Sequence, residues 1–248
     1  MAKRYIMTSG FCRPTPSING IISIAIAAFA FSSGCGSGGV PKEGAMITRA
    51  NRSLYSDDAM ILAARQATSP WIPADAAAAF DRDLRTIRSR YPVLTAVHAR
   101  ADYVRTDLLI AVSNTAPWLN NWKAGTANTG EARLDALLQE FDVDAVRDAL
   151  LTTADRTWFR VEFAQPLSMD RLADRVRTAS PNIPSVEPNA YAGDGDNIVN
   201  SSSAGGRVLT FSKGWGDCPS GCIYRHSWEV SIASSGDLSV REFGNPLP

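Results

Sequence analysis

Cys218, Cys222 and His226 follow one another at intervals of four residues. Two thiolates and an imidazole are three of the ligands a structural zinc site takes, and a free thiol with a histidine can serve as nucleophile and base. The same two cysteines form a disulfide wherever thiols oxidise. Pro219-Ser220-Gly221 between them is turn chemistry, with proline presetting one dihedral and glycine free to take positive φ. No fourth ligand accompanies the set and the linker is a turn rather than a metal knuckle, so a disulfide is expected. A thiol- or metal-dependent enzyme using Cys218, Cys222 and His226 is the alternative.

A second group lies in Tyr191–Asn197, a glycine-rich stretch that carries Asp194, Asp196 and Asn197. Calcium takes about six to eight oxygens, and no bidentate glutamate follows, so a plain turn-rich linker is the competing reading. There is no Gly-x-Ser-x-Gly elbow, phosphate-cradling loop or dinucleotide fingerprint. The two histidines, His98 and His226, fall in segments that read as strands and have no identifiable acid partner. No catalytic residue, metal or cofactor is therefore expected, and the chain reads as non-enzymatic.

The N-terminus gives an address. Lys3, Arg4 and Arg13 precede an uncharged apolar run from Ile18 to Phe31, the layout of a secretory signal. That run is shorter than the roughly 20 apolar residues a spanning helix needs. It ends in Ser32-Ser33-Gly34-Cys35, which resembles the lipobox of bacterial lipoproteins, with Ser32 where that motif usually has leucine. The resemblance implies acylation of Cys35 and a membrane anchor in the cell envelope, the body facing the periplasm or exterior. Cleavage without acylation, giving a secreted protein, is the alternative. Gly36-Ser37-Gly38-Gly39 then reads as a flexible tether. Cys12 leaves with the signal, so Cys218 and Cys222 are the cysteines of the folded body.

The protein has 25 basic and 25 acidic residues; three basic and no acidic ones precede Cys35, which leaves 22 against 25 and a net charge of −3. With no basic patch and an exported address, nucleic acid is excluded as a partner.

The elements that must position these residues read as α+β. A weak helical pattern between Ala45 and Thr68 carries Met60, Ile61 and Ala64, and Pro70-Trp71-Ile72-Pro73 breaks it. Asp75 opens a clearer helix with Phe80, Leu84 and Ile87 on one face and Arg82, Arg85 and Arg88 on the other. That basic face reads as solvated, an acidic partner being the other use for it. Val93–Val97 and Leu108–Val112 read as strands, and Ser113–Thr129 as a long loop whose Trp118 and Trp122 cap a core, a partner anchor being the other use for them. Then come a helix carrying Leu134, Leu137, Leu138 and Phe141, a strand at Ala145–Leu151, and an alternating strand at Trp158–Phe163. A second helix with Met169, Leu172 and Val176 is stopped by Pro181, and a last strand covers Ser185–Glu187. Strand, helix, strand, strand, helix, strand is the ferredoxin-like split βαβ order.

The strings Leu134-Asp-Ala-Leu-Leu-Gln-Glu-Phe-Asp-Val, Phe159-Arg-Val-Glu-Phe, Met169-Asp-Arg-Leu-Ala and Val186-Glu-Pro-Asn189 resemble the inhibitor-type propeptide of subtilisin-like serine proteases, over Leu108 to about Tyr191. Glu187-Pro188-Asn189 is the tightest match. The resemblance implies a domain that lays its sheet on a protease and sends its final strand toward the active-site cleft. No catalytic domain follows Asn189, so a subtilisin-like protease would be met in trans, through Val186, Glu187, Pro188, Asn189, Ala190 and Tyr191. Reuse of the fold for packing or another partner is the competing reading.

The expected organisation is a signal peptide (1–34), a tether (35–44), a helical segment with the start of a sheet (45–107), the propeptide-like unit (108–191), a linker (192–206) and a small β element (207–248). That last element reads as three antiparallel strands, at Val208–Phe211, Tyr224–Ile232 and Leu238–Val240, stapled by the disulfide because so small a sheet is marginal alone. Its Gly214–Cys222 string with Arg225-His226-x-Trp228 resembles the C-terminal segments of uncharacterised secreted bacterial proteins and implies no activity.

Overall fold

A computed structural model of the protein describes residues 45–203 and 206–248. The signal peptide, Cys35 and the tether lie outside the described residues. No helix within them is long and apolar enough to cross a membrane.

The body is α+β, with two four-stranded antiparallel sheets. Helix α1 (Asp57–Gln66) starts at Ser56, whose hydroxyl accepts the Ala59 N–H, with Asp57 and Asp58 in the first turn. Both features suit the positive end of a helix. Helix α2 (Ala74–Arg90) follows Pro73 and stops before Pro92. Val93–Val97, expected as a strand, is instead the body of a 3-10 turn over Pro92–Ala96. The three-residue spacing that buries Leu94 and Val97 together is the period of that turn, and Pro92 presets its first residue.

Strand β1 (Tyr103–Ser113) enters the first sheet. The stretch read as a long loop contains a short helix, α3 (Leu119–Lys123), and its two tryptophans are buried in the core as expected. Trp118 donates its indole N–H to Glu131, which also accepts from Asn182. Next come α4 (Ala132–Glu140), β2 (Val143–Thr152), β3 (Arg156–Phe163), α5 (Met169–Arg177) and β4 (Ser185–Ala190). The sheet order is β2-β3-β1-β4. Leu108, Ile110 and Val112 of β1 and Phe159, Val161 and Phe163 of β3 share one core with the apolar stripes of α4 and α5. Alternation along β3 leaves Trp158, Arg160 and Glu162 on the opposite face.

The second sheet holds β5 (Asn197–Ser203), β6 (Gly206–Trp215), β7 (Tyr224–Ala233) and β8 (Leu238–Gly244), in that order. It has four strands rather than the three expected, because much of the supposed linker 192–206 pairs with β6 from Asn197 to Ser203. Ile198, Leu209, Phe211, Trp228 and Val230 bury against α1, α2 and the 3-10 turn in a second core. The last strands of the sequence thus cover its first helices.

A buried carboxylate ties that helical layer together. Asp58 accepts from the Arg88 guanidinium at 2.6 Å, from the Ala99 N–H at 2.7 Å, and lies 3.1 Å from His98 Nδ1. Arg82 and Arg85 are exposed, as a solvated face requires, but Arg88 folds inward, its side chain 18% exposed, and also donates to Val97 O. Asp58→Asn leaves Arg88 without its counter-charge, and a broken buried pair costs about 3 kcal/mol. A urea unfolding free energy lowered by that amount, read as a lower midpoint with an unchanged slope, is the expected result.

Candidate functional site

Strand β4 is an edge strand with one neighbour, β1. Val186 pairs with Ile110 and is 1% exposed, so this member of the expected partner-binding segment faces the core. Glu187, Ala190 and Tyr191 are exposed, and Pro188 and Asn189 half-buried. Pro188 stands opposite Leu108, and Ala190 opposite Tyr103, so residues 104–107 of β1 face Asn189 alone. Proline brings no N–H to a ladder, and here the register breaks into a wide bulge. Asn189 Nδ2 donates to Asp107 Oδ2 at 3.4 Å, and the Thr106 hydroxyl donates to Asp107 Oδ1 at 2.8 Å.

The bulge opens a cleft of about 210 Å³ lined by Arg52, Ala101, Tyr103, Arg105, Thr106, Pro166 and Tyr191. Tyr191 forms its lip, 54% exposed, its N–H held by Asp102 O at 3.0 Å. The Arg105 carbonyl accepts the Leu167 N–H. Its guanidinium reaches Asp57 Oδ1 at 3.0 Å, and Arg52 approaches the same oxygen at 3.5 Å. Burial, reinforced by the negative charge of Asp170, pushes the Tyr103 phenol up to about 12; its hydrogen bond to Ser168 works the other way. Sequence reasoning found β4 but not Arg52, Tyr103 or Arg105, which come from two distant places, the turn before α1 and the start of β1, and carry no motif that links them.

The other singled-out residues lie elsewhere. Cys218 and Cys222 form a disulfide with Cα atoms 4.0 Å apart. Asp194 clamps that turn. Its N–H donates to Cys218 O, and its carboxylate accepts from the Gly195 N–H, the Arg225 guanidinium and the Cys222 N–H, which together hold it down to about 2. Asp196 accepts the Gly214 N–H, and the Asn197 side-chain oxygen accepts from Arg65, the Arg100 N–H and the Ile198 N–H. The oxygens considered for calcium thus answer N–H donors. His226 is turned to β8 and the residues after it, with Nδ1 2.7 Å from Asn245 O and Nε2 3.4 Å from Glu242. Both histidines therefore have a carboxylate neighbour, Asp58 or Glu242, contrary to expectation, and His98 lies in coil. Among the described residues neither ring hydrogen-bonds a hydroxyl or thiol.

No protein-family model, curated protein or solved structure matches the protein. The site is therefore read from its own geometry.

The raised Tyr103 value fixes a direction in pH. The folded state keeps this phenol protonated beyond the ordinary 10.0, so its share of stability is full below 10 and lost as pH rises toward about 12. Ultraviolet titration should lose one late-ionising tyrosine in Tyr103→Phe and keep Tyr55, whose phenol burial also pushes up.

Proposed function

We propose that this is an exported, lipid-anchored, non-enzymatic binding protein whose ferredoxin-like unit receives a protein partner along β4 and the adjoining open sheet face. The observation that carries this reading is the exposed edge of β4, with Glu187, Ala190 and Tyr191 accessible beside a cleft. An edge strand presents unpaired N–H and C=O groups that an extended segment can join. Beside it the face opposite the helices carries Leu109, Trp158 and an exposed Leu151, with Arg147 and Arg160 both bound to Glu162.

The partner proposed is a subtilisin-like protease met in trans. The element order β1-α4-β2-β3-α5-β4 and the strand order support the split βαβ assignment on which the propeptide resemblance rests. So does Asp142, which holds φ at +56° after Phe141, where glycine would also be at home. Membrane attachment is assigned to lipid on Cys35.

Two measurements test the reading. Titrating the mature protein into a subtilisin should slow hydrolysis of a chromogenic peptide. Glu187→Arg with Tyr191→Ala should weaken inhibition at least about tenfold, as loss of an anchor does. Undiminished hydrolysis with cleavage throughout the body would reject this partner. In cells, a palmitate analogue should label the protein and Cys35→Ser should abolish the label; an unlabelled wild type would reject the anchor.

A further inference from the structure

The cavities of the body differ in how their cations are neutralised. The larger one beside α2, about 540 Å³ and lined in part by Ser56, Leu84, Arg85 and Arg88, gives each guanidinium its own carboxylate. Arg85 meets Asp81 at 3.4 Å, and Arg88 meets Asp58 at 2.6 Å. The cleft at the end of β4 does not. Arg52 and Arg105 converge on one oxygen of one carboxylate, Asp57 Oδ1, and among the described residues neither guanidinium has another acceptor.

That carboxylate is a weak claimant. Asp57 is 69% exposed, so water competes for it, whereas the Arg105 side chain is only 15% exposed. The neighbouring acids are engaged elsewhere. Asp102 is bound by Arg65 at 3.0 Å, Asp107 by Thr106 and Asn189, and Asp170 by the Tyr103 hydroxyl. Two guanidiniums with one exposed counter-charge leave the cleft with an excess of positive charge and of N–H donors, since each guanidinium carries five.

We propose that this cleft is a receptor for a carboxylate of the binding partner, gripped by Arg105 and Arg52 at the end of β4. Guanidinium forks match carboxylates bidentately, and the volume admits such a group without moving Tyr103 or Tyr191. The proposal rests on the reading that a partner docks at β4, and it adds the chemistry recognised there. The carboxylate is either an aspartate or glutamate side group or the free C-terminus of a polypeptide.

The test follows the arginine Nε–Hε resonances of the mature protein as three short peptides are added. Two carry one carboxylate each, on an internal glutamate or at the C-terminus; the third is the internal-glutamine amide. The Arg105 and Arg52 signals should move saturably with at least one acid peptide and stay still with the amide. Which acid peptide acts identifies the source. Arg105→Met should abolish the response, and Arg52→Ala should weaken it about fivefold, the scale of one partly exposed charge-assisted contact. Asp57→Asn, at an exposed position that leaves the core intact, should tighten binding by freeing both guanidiniums. Equal shifts with the amide, a response surviving in Arg105→Met, or no tightening in Asp57→Asn would overturn the proposal. Protease inhibition plays no part in this readout, so the partner and the carboxylate site can fail separately.

Discussion

Helices α1 and α2 present an apolar face that the segments beside them, with Ile47, Ile72, Leu94 and Val97, only partly cover. Met60, Phe80, Leu84 and Ile87 find their counterparts in Leu209, Phe211, Trp228 and Val230. Helices this short are held by tertiary packing rather than by propensity, and each large apolar side group taken from water contributes about 1.5–3 kcal/mol. The last sheet must therefore return to the first helices, and everything from β1 to β4 becomes an excursion with both ends pinned. Arg65 does the pinning. Its guanidinium joins Arg100 O and Asp102, just before the excursion leaves, to Ile198 O and Asn197, just after it returns. Ser168 and Arg171 reach back from the start of α5 to Ala64 O and Ala67 O, so the excursion is moored along its flank as well.

The cleft is a product of that mooring. β1 starts and β4 ends where the two layers meet, so Arg105 from the sheet faces Asp57 from the first turn of α1. The missing N–H of Pro188 supplies the slack in the ladder, and Asp107 is fixed by Asn189 and Thr106. Glu187-Pro188-Asn189 is thus a structural device: it makes an edge strand end in a concave surface instead of a flat ladder.

Much of the fold was legible because its periods are clean. β3 alternates buried and half-buried residues along its whole length, and the stripes of α4 and α5 repeat at three and four residues. Illegibility has particular causes. The run at Val93–Val97 is too short for apolar spacing to separate a strand from a 3-10 turn. The polar sequence of β5, Asn-Ile-Val-Asn-Ser-Ser-Ser, buries only Ile198 among its residues with described side groups and is held by backbone pairing with β6, which leaves no hydrophobic period to read. Arg88 sits on the outer side by helical phase, yet its long side chain reaches a carboxylate on another helix. The segment at β4 could be marked in advance, but the cleft could not, since Arg52, Arg105 and Tyr191 meet only after both layers are in place.

The pairing of the first helices with the last strands also orders events in time. A polypeptide made or threaded N-terminus first presents α1 and α2 long before residues 206–248 exist to cover them, and contacts such as Arg65 with Ile198 span 133 positions. The unit from β1 to β4 has its own core and can close as soon as it emerges. The helical layer cannot, and waits with greasy surface bare until the final hairpin arrives. Loss of the C-terminal strands would accordingly unmake the opposite end of the polypeptide, leaving an intact central unit behind a sticky N-terminal segment.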